Sequence, residues 1–200
     1  MFEAAALTLL AEAGRVLGES LDLSATFAGV ARLCVSGLAE LAIFDLVDGE
    51  VRRVAVAAAN PDLAPLAEEL RGYPPRDWTR HPLAAAIRAG RSVTIEVDDG
   101  VLRTVAQDER HLTILRSLAI ASMVEAPLVV RGRALGVLSL SRSKPDGWTP
   151  DDILLAGELA RRAAVAVDNA RLFEGEQRAR QRAEAGQSEP AGASRHHQDG

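Results

Sequence analysis

Two pairs of short β-rich runs, each folded about a tight turn, narrow most sharply what this chain can become. In LAIFDLVDGEVRRVAVAAA the runs flank Asp48-Gly49, and IASMVEAPLVV and RALGVLSLSRS flank Arg131-Gly132. Such turns between β-rich runs predict hairpins, and hairpins join strands antiparallel. Pro127 lies inside the third run and has no N–H to donate to a ladder, which predicts an edge or a bulge there. SVTIEV, Ser92 to Val97, predicts a further strand between the two hairpins.

Helical periodicity fills most of the rest. Phe2, Ala5, Ala6, Leu9, Leu10, Ala13, Val16 and Leu17 recur at three- and four-residue spacing, and Gly18 ends the run. A second helix starts with Asp22 or Ser24 as its cap and carries Phe27, Val30, Ala31, Cys34 and Leu38. Residues 60–90 hold five of the nine prolines, with helical patches at about 62–71 and 82–89, so this is a long crossover of the kind that caps a binding site. Another helix is predicted over about 103–116. The last is announced by Thr149 as cap, Pro150 in the first turn, and Asp151 and Asp152 at the positive end of the helix dipole. Its stripe of Leu155, Leu159, Ala163, Ala166, Ala170 and Phe173 is mostly small, which allows close approach. From Gly186 the sequence cannot build a core, and residues 181–200 are expected to be a disordered tail.

The expected architecture is α+β: a central antiparallel sheet of five or six strands with helices on both sides, one domain over residues 1–180. Its net charge of −5 lacks the basic bias that binding a phosphate backbone demands, so nucleic acid is not an expected partner. Without a basic leader or an uninterrupted apolar run of membrane-spanning length, the chain is expected to be cytoplasmic and off the membrane. A single cysteine, Cys34, excludes an internal disulfide and a multi-cysteine zinc site. Phosphate-cradling glycine loops, nucleophile elbows and zinc-hydrolase motifs are absent.

The order and spacing of LAELAIFDLVDGEVRRVAVA, the YPP of the crossover, HLTILRSLAIASMVEAPL, VRGRALGVLSL and WTPDDILLAGELARRAAVAVDNARLF resemble a GAF domain. The type is that of bacterial sensor histidine kinases and stress-response phosphatase regulators. The resemblance covers about Ala6 to Arg180. It implies a small-molecule pocket between the sheet and the crossover, with Phe44, Tyr73, Trp78, His81, Val93, Ile95 and Met123 as candidate lining residues. It also implies a homodimer through the terminal helices, the Leu155-to-Phe173 stripe being the candidate interface, and a histidine kinase or phosphatase as output partner. No cofactor or metal is expected. Haem-binding relatives use a histidine, for which His81 or His111 would have to serve; bilin-binding relatives use a pocket cysteine, whereas Cys34 falls on a helix core face. Related methionine sulfoxide reductases need several cysteines, so no enzymatic activity is expected.

Two carboxylates stand out inside apolar strands, Asp45 and Glu125. Burying either alone would cost several kcal/mol, so each must be solvated, paired with an arginine, or turned to a wet pocket. Both join the candidate ligand site, although the family usually has an aliphatic residue at the position of Glu125. The expected function is a non-enzymatic sensory module in bacterial signal transduction; the alternative is a dimerisation scaffold whose pocket is filled by its own side chains.

Overall fold

The computed structural model describes residues 4–20 and 22–187; Phe2, His196, His197 and the tail from residue 188 lie outside them. Helices α1 (Ala4–Glu19) and α2 (Leu23–Val35) lead into β1 (Leu41–Asp48) and β2 (Glu50–Ala58). The crossover holds α3 (Ala64–Glu69) and α4 (Leu83–Ala89), followed by β3 (Val93–Glu96), α5 (Asp99–Val105), α6 (Glu109–Ser117), β4 (Ser122–Val130), β5 (Arg133–Arg142) and α7 (Pro150–Gln187). The segment expected as one helix over 103–116 is two, because Asp98 and Asp108 each cap a separate start and Ala106 between them is extended.

All five strands pair antiparallel in the order β2-β1-β5-β4-β3. Arg131 and Gly132 both have positive φ, 51° and 75°, the geometry a two-residue hairpin loop requires. Pro127 lies opposite Val137 of β5, on a stretch of β4 where β3 has already ended, so its missing N–H faces no partner strand. The register shifts just beyond it, between Leu128 and Val129. In the centre, Gly136 lets β5 approach β1: a Cβ there would stand 2.2 Å from the carbonyl oxygen of Asp45, far inside contact distance.

One face of the sheet packs against α1, α2 and α7, with Phe27 of α2 stacked on Phe44 of β1 at 4.7 Å between ring centroids. The other face carries the crossover, α5 and α6 around Leu41, Ile43, Leu70 and Ile114. A shift in the β1–β2 register between Phe44 and Asp45 decides what each face receives. Phe44 lies opposite Ala55 but Asp45 lies opposite Arg53, so Val54 is extra and Arg53 emerges on the same face as Asp45.

Thr149 and Asp152 cap α7 reciprocally: the Thr149 hydroxyl accepts from the Asp152 N–H at 3.1 Å, and Asp152 accepts from the Thr149 N–H at 3.0 Å. Asp152 also takes a bond from Arg142, tying the helix start to β5. Replacing Thr149 with alanine is expected to cost about 1 kcal/mol, read as a lower urea midpoint at unchanged slope.

The helix does not stop near Arg180 as the sequence implies; it continues through Gly175 to Gln187. At 1.5 Å per residue its 38 residues span roughly 57 Å. From Leu172 to Arg182 every residue is exposed, so the last turns leave the body of the fold. Among the described residues, no helix is long and apolar enough to cross a membrane.

Candidate functional site

The sheet's second face presents aligned rows. Ile43, Ser139 and Glu125 form one row across β1, β5 and β4; Leu41, Ser141 and Met123 form the next. Over them lies a cavity of about 60 Å³, roofed by the crossover, α5 and α6. Its walls are mostly apolar, with Arg53, His81, Gln107, His111, Ser139 and Ser141 as polar members. A wider vestibule of about 380 Å³ adjoins it, sharing Pro75, His81, Val105 and Gln107.

Arg53 organises the roof. Its Nε and Nη2 donate to the two carboxylate oxygens of Asp45, each at 2.9 Å, while Nη1 donates to the carbonyls of Leu70 and Tyr73 at 3.1 Å. Both side chains of the ion pair are buried. One guanidinium therefore neutralises the strand carboxylate and holds down the crossover. Three further contacts strap the roof to α6 and the link before it: Gln107 donates to the Pro74 carbonyl at 2.8 Å, Arg110 forks onto Glu69, and Tyr73 stacks on His111 at 4.3 Å.

Both histidines have an assigned proton. Nδ1 of His111 accepts from the Gln107 N–H at 3.2 Å, and Nδ1 of His81 accepts from the Leu83 N–H at 3.4 Å. A neutral imidazole accepting at Nδ1 carries its hydrogen on Nε2. Burial, helped by the charge of Arg53, pushes both rings down to about 4, so they are neutral at pH 7. An Nε2–H donates and does not ligate, so neither ring is set up to hold haem iron. Among the described residues, no group of three His, Cys, Asp or Glu is placed to hold a metal ion.

Glu125 is completely buried behind Ser139, whose hydroxyl donates to its Oε2 at 2.5 Å; Oε1 has no partner. Burial raises its acid to about 8, so it is mostly protonated at neutral pH. Ser141 is also buried, lines the cavity and leaves its hydroxyl unpartnered.

Of the residues expected from sequence, Tyr73, His81 and Met123 line the cavity. Asp45 lies beneath it in the ion pair, and Glu125 lies behind it. Val93 and Ile95 sit opposite Glu125 and Met123 in the β3–β4 ladder but stay off the cavity wall. Phe44 is a correction: it points to the opposite face, because successive strand residues alternate and its neighbour Asp45 takes the cavity side. Trp78 is another, lying half-buried in the turn before α4 and outside the cavity lining.

The expected dimer stripe is the third correction. Leu155, Leu159, Ala163 and Ala170 are buried in this chain's own core beneath β4, and Ala166 is half-buried; only Phe173 is exposed. The small side chains let α7 lie close on its own sheet. Besides Phe173, the exposed large apolar residues of α7 are Leu154, Val165 and Leu172, spaced by about whole numbers of turns on one face, with Leu7 of α1 beside Leu154 across a shared groove.

Arg53 and His111 also line the cavity, although no sequence pattern marks Arg53 for it and His111 is named from the sequence only as a candidate haem ligand. His111 looked like part of a charged helix, DERHLTILRS. Its spacing of three, four and seven residues to Ile114, Leu115 and Leu118 is the available sign that it faces inward.

The family model for the GAF domain matches residues 8–167. Among curated proteins, none matches the chain. Solved structures show the same fold. The free methionine-R-sulfoxide reductase of Neisseria meningitidis, solved with its substrate, aligns with a TM-score of 0.64 at 19% identity, covering 86% of this chain and 95% of its own. The GAF domain of a phosphoenolpyruvate-protein phosphotransferase from Coxiella burnetii aligns at 0.67 and 14%, covering 86% and 99%. A methyl-accepting chemotaxis protein aligns at 0.60 and 18%, covering 80% and 98%.

Proposed function

The chain belongs to the GAF domain family, and from that premise we propose that it is a non-enzymatic, cytoplasmic sensor in bacterial signal transduction. The cavity receives a small molecule, and the terminal helices of a homodimer pass the change to a partner such as a histidine kinase or phosphatase. The observation that carries this reading is the buried, unpartnered Ser141 hydroxyl on the cavity wall, since a side chain placed only for packing would be apolar or satisfied.

Although one structural neighbour is a reductase, the chemistry here favours a binding role. Cys34, the single cysteine, is buried in the helix-side core, and burial pushes its thiol up to about 12, leaving essentially no thiolate at neutral pH.

The route from cavity to helices runs through adjacent residues of β1. A ligand that lifts the crossover must disturb Arg53 and hence Asp45; the next residue, Phe44, stacks on α2 from the opposite face. The ligand shifts the helices only if it binds the two arrangements with different affinity. A double-mutant cycle between Arg53→Met and Phe27→Leu, read on ligand affinity, is expected to show coupling above 0.5 kcal/mol, and additive effects would rule this route out.

The cavity's small volume favours a second reading. About 60 Å³ is far below the roughly 300 Å³ at which ligand pockets begin, as expected of a scaffold filled by its own side chains. Native mass spectrometry of freshly purified protein decides between them. A stoichiometric small-molecule adduct that Ser141→Leu abolishes supports the sensor; a bare dimer in the presence of candidate metabolites supports the scaffold.

Dimerisation is assigned to the outward face of Leu7, Leu154, Val165 and Leu172. Leu154, 61% exposed, is the most open of these. Leu154→Arg is expected to convert dimer to monomer in sedimentation equilibrium with no loss of fold, whereas Ala163→Arg, aimed at the buried stripe, should unfold the chain. A dimer unaffected by Leu154→Arg and Val165→Arg together would exclude this face.

A further inference from the structure

We infer that the cavity is built for a small ligand presenting a carboxylate or similar oxyanion, held by the Nε2–H groups of His81 and His111 and the hydroxyl of Ser141. This rests on the sensor reading and names the chemistry of its ligand.

Several polar groups on the wall are donors with bonds still to give, beside the acceptor oxygens of Gln107 and Ser139. His111 and His81 each spend Nδ1 on a backbone N–H, which leaves Nε2–H as the ring's remaining polar atom, and neither Nε2 meets an acceptor among the described residues. Ser141 contributes an unpartnered hydroxyl from β5. Gln107 spends its amide N–H on Pro74 and so belongs to the roof. The cavity therefore offers donors from three separate elements and asks for an acceptor to meet them.

Charge points the same way. Arg53 lines the cavity, whereas its partner Asp45 lies outside the lining, so the cavity side of this neutral ion pair is the cationic one. Glu125, the other carboxyl on this face, is screened from the cavity by Ser139. The vestibule adds Arg76 and Arg80, with Asp77 between them turned onto Thr79. A cation would meet these arginines and N–H donors, and the carboxylate in the vestibule lining, Asp77, already accepts twice from Thr79. An oxyanion gains charge-assisted bonds in a site largely shielded from water, where they are strongest.

Size sets the scale. With roughly 10–15 Å³ needed to hold one water, a cavity of about 60 Å³ accepts a ligand the size of a few waters, that is, of a few heavy atoms. The apolar walls of Val97, Leu102 and Ile120 suit a short hydrocarbon tail behind the carboxylate. Acetate and propionate are thus the natural probes, and longer carboxylates require the roof to lift toward the vestibule.

The test is a titration of the full chain followed by NMR of the histidine ring nitrogens, at constant ionic strength. Sodium acetate, sodium propionate, propylammonium chloride and propanamide are the four probes. Carboxylates are expected to give saturable shifts of His81 and His111 that the amine and amide do not. Ser141→Ala should raise the half-saturating concentration about tenfold, as for losing one hydrogen bond to a charged group. His111→Phe keeps the ring stacked on Tyr73 and should abolish saturation; an unchanged backbone amide spectrum elsewhere certifies the fold of each variant. Saturation by propylammonium or propanamide matching or exceeding that by carboxylates overturns the ligand class and leaves the small-molecule sensor standing. Carboxylate saturation unchanged in both variants overturns the site. If none of the four probes moves either ring, the oxyanion proposal falls, while the sensor reading is decided separately by the native mass spectrum.

Discussion

Arg53→Ala is expected to lower the unfolding free energy by about 3–5 kcal/mol, the cost of stranding one member of a buried ion pair. Asp45 would remain, buried at 1% exposure, without the two bonds it now receives. The carbonyls of Leu70 and Tyr73 would also lose their donor, so the damage extends to the crossover. Arg53→Lys should rescue little, because an ammonium cannot fork onto a carboxylate while reaching two carbonyls on the far side. In the double variant Asp45→Leu with Arg53→Met the uncompensated charge is gone, and most of the stability should return while the crossover stays loose. Urea unfolding reads the first effect. Amide hydrogen exchange over residues 64–82 reads the second, with faster exchange expected in both variants. Protection there unchanged in Arg53→Ala would mean that Arg53 does not hold the roof.

Glu125→Gln is expected to reverse part of the protein's pH dependence. In the folded state Glu125 keeps its proton up to about 8, against an ordinary value near 4.5, because burial disfavours the carboxylate. Between these values the folded chain binds more protons than the unfolded one, so stability falls as pH rises through this window and levels off above it. His81 and His111 act with the opposite sign. Folded, they titrate near 4 instead of 6.5, so the unfolded chain binds more protons between those values and stability rises with pH there. Below pH 6.5 two histidines outweigh one glutamate; above it the glutamate acts alone. These three groups therefore place maximum stability near pH 6.5.

Glutamine keeps an acceptor for the Ser139 hydroxyl and carries no titratable proton. The variant should match the wild type near pH 4.5 and exceed it at pH 8 by a margin on the order of a few kcal/mol. Urea unfolding at pH 5, 6.5 and 8 checks this. Parallel curves for the two proteins between pH 6.5 and 8 would refute a protonated Glu125.

Much of the fold is legible in the sequence because its signals are local. The turns at Asp48-Gly49 and Arg131-Gly132 specify the hairpins, Asp22 and Thr149 specify helix starts, and each acts on neighbours a few residues away. The failures share one cause. A helical or strand period says which residues share a face, not what that face meets. The stripe from Leu155 to Ala170 was correctly a single apolar face, but its partner is the chain's own sheet and not a second copy. Phe44 and Asp45 were both marked for the pocket, yet adjacent strand residues cannot share a side. The buried carboxylates are legible as a problem, and pairing with an arginine is among the solutions the sequence offers; that the arginine is Arg53, and that Glu125 is instead protonated beside Ser139, is not.

The sequence by itself determined the antiparallel pairing of both hairpins and most of the element order, since capping, turn chemistry and periodicity operate within a few residues, and the order of its motifs carried the resemblance to the GAF family. The tertiary structure alone decided that Arg53 meets Asp45, because a register shift at Val54 sets which side of the sheet it reaches. It also decided that His81, His111 and Ser141, thirty residues apart in the chain at each step, converge on one cavity. Such meetings depend on strand order and on helices folding back across the sheet, which no local pattern encodes.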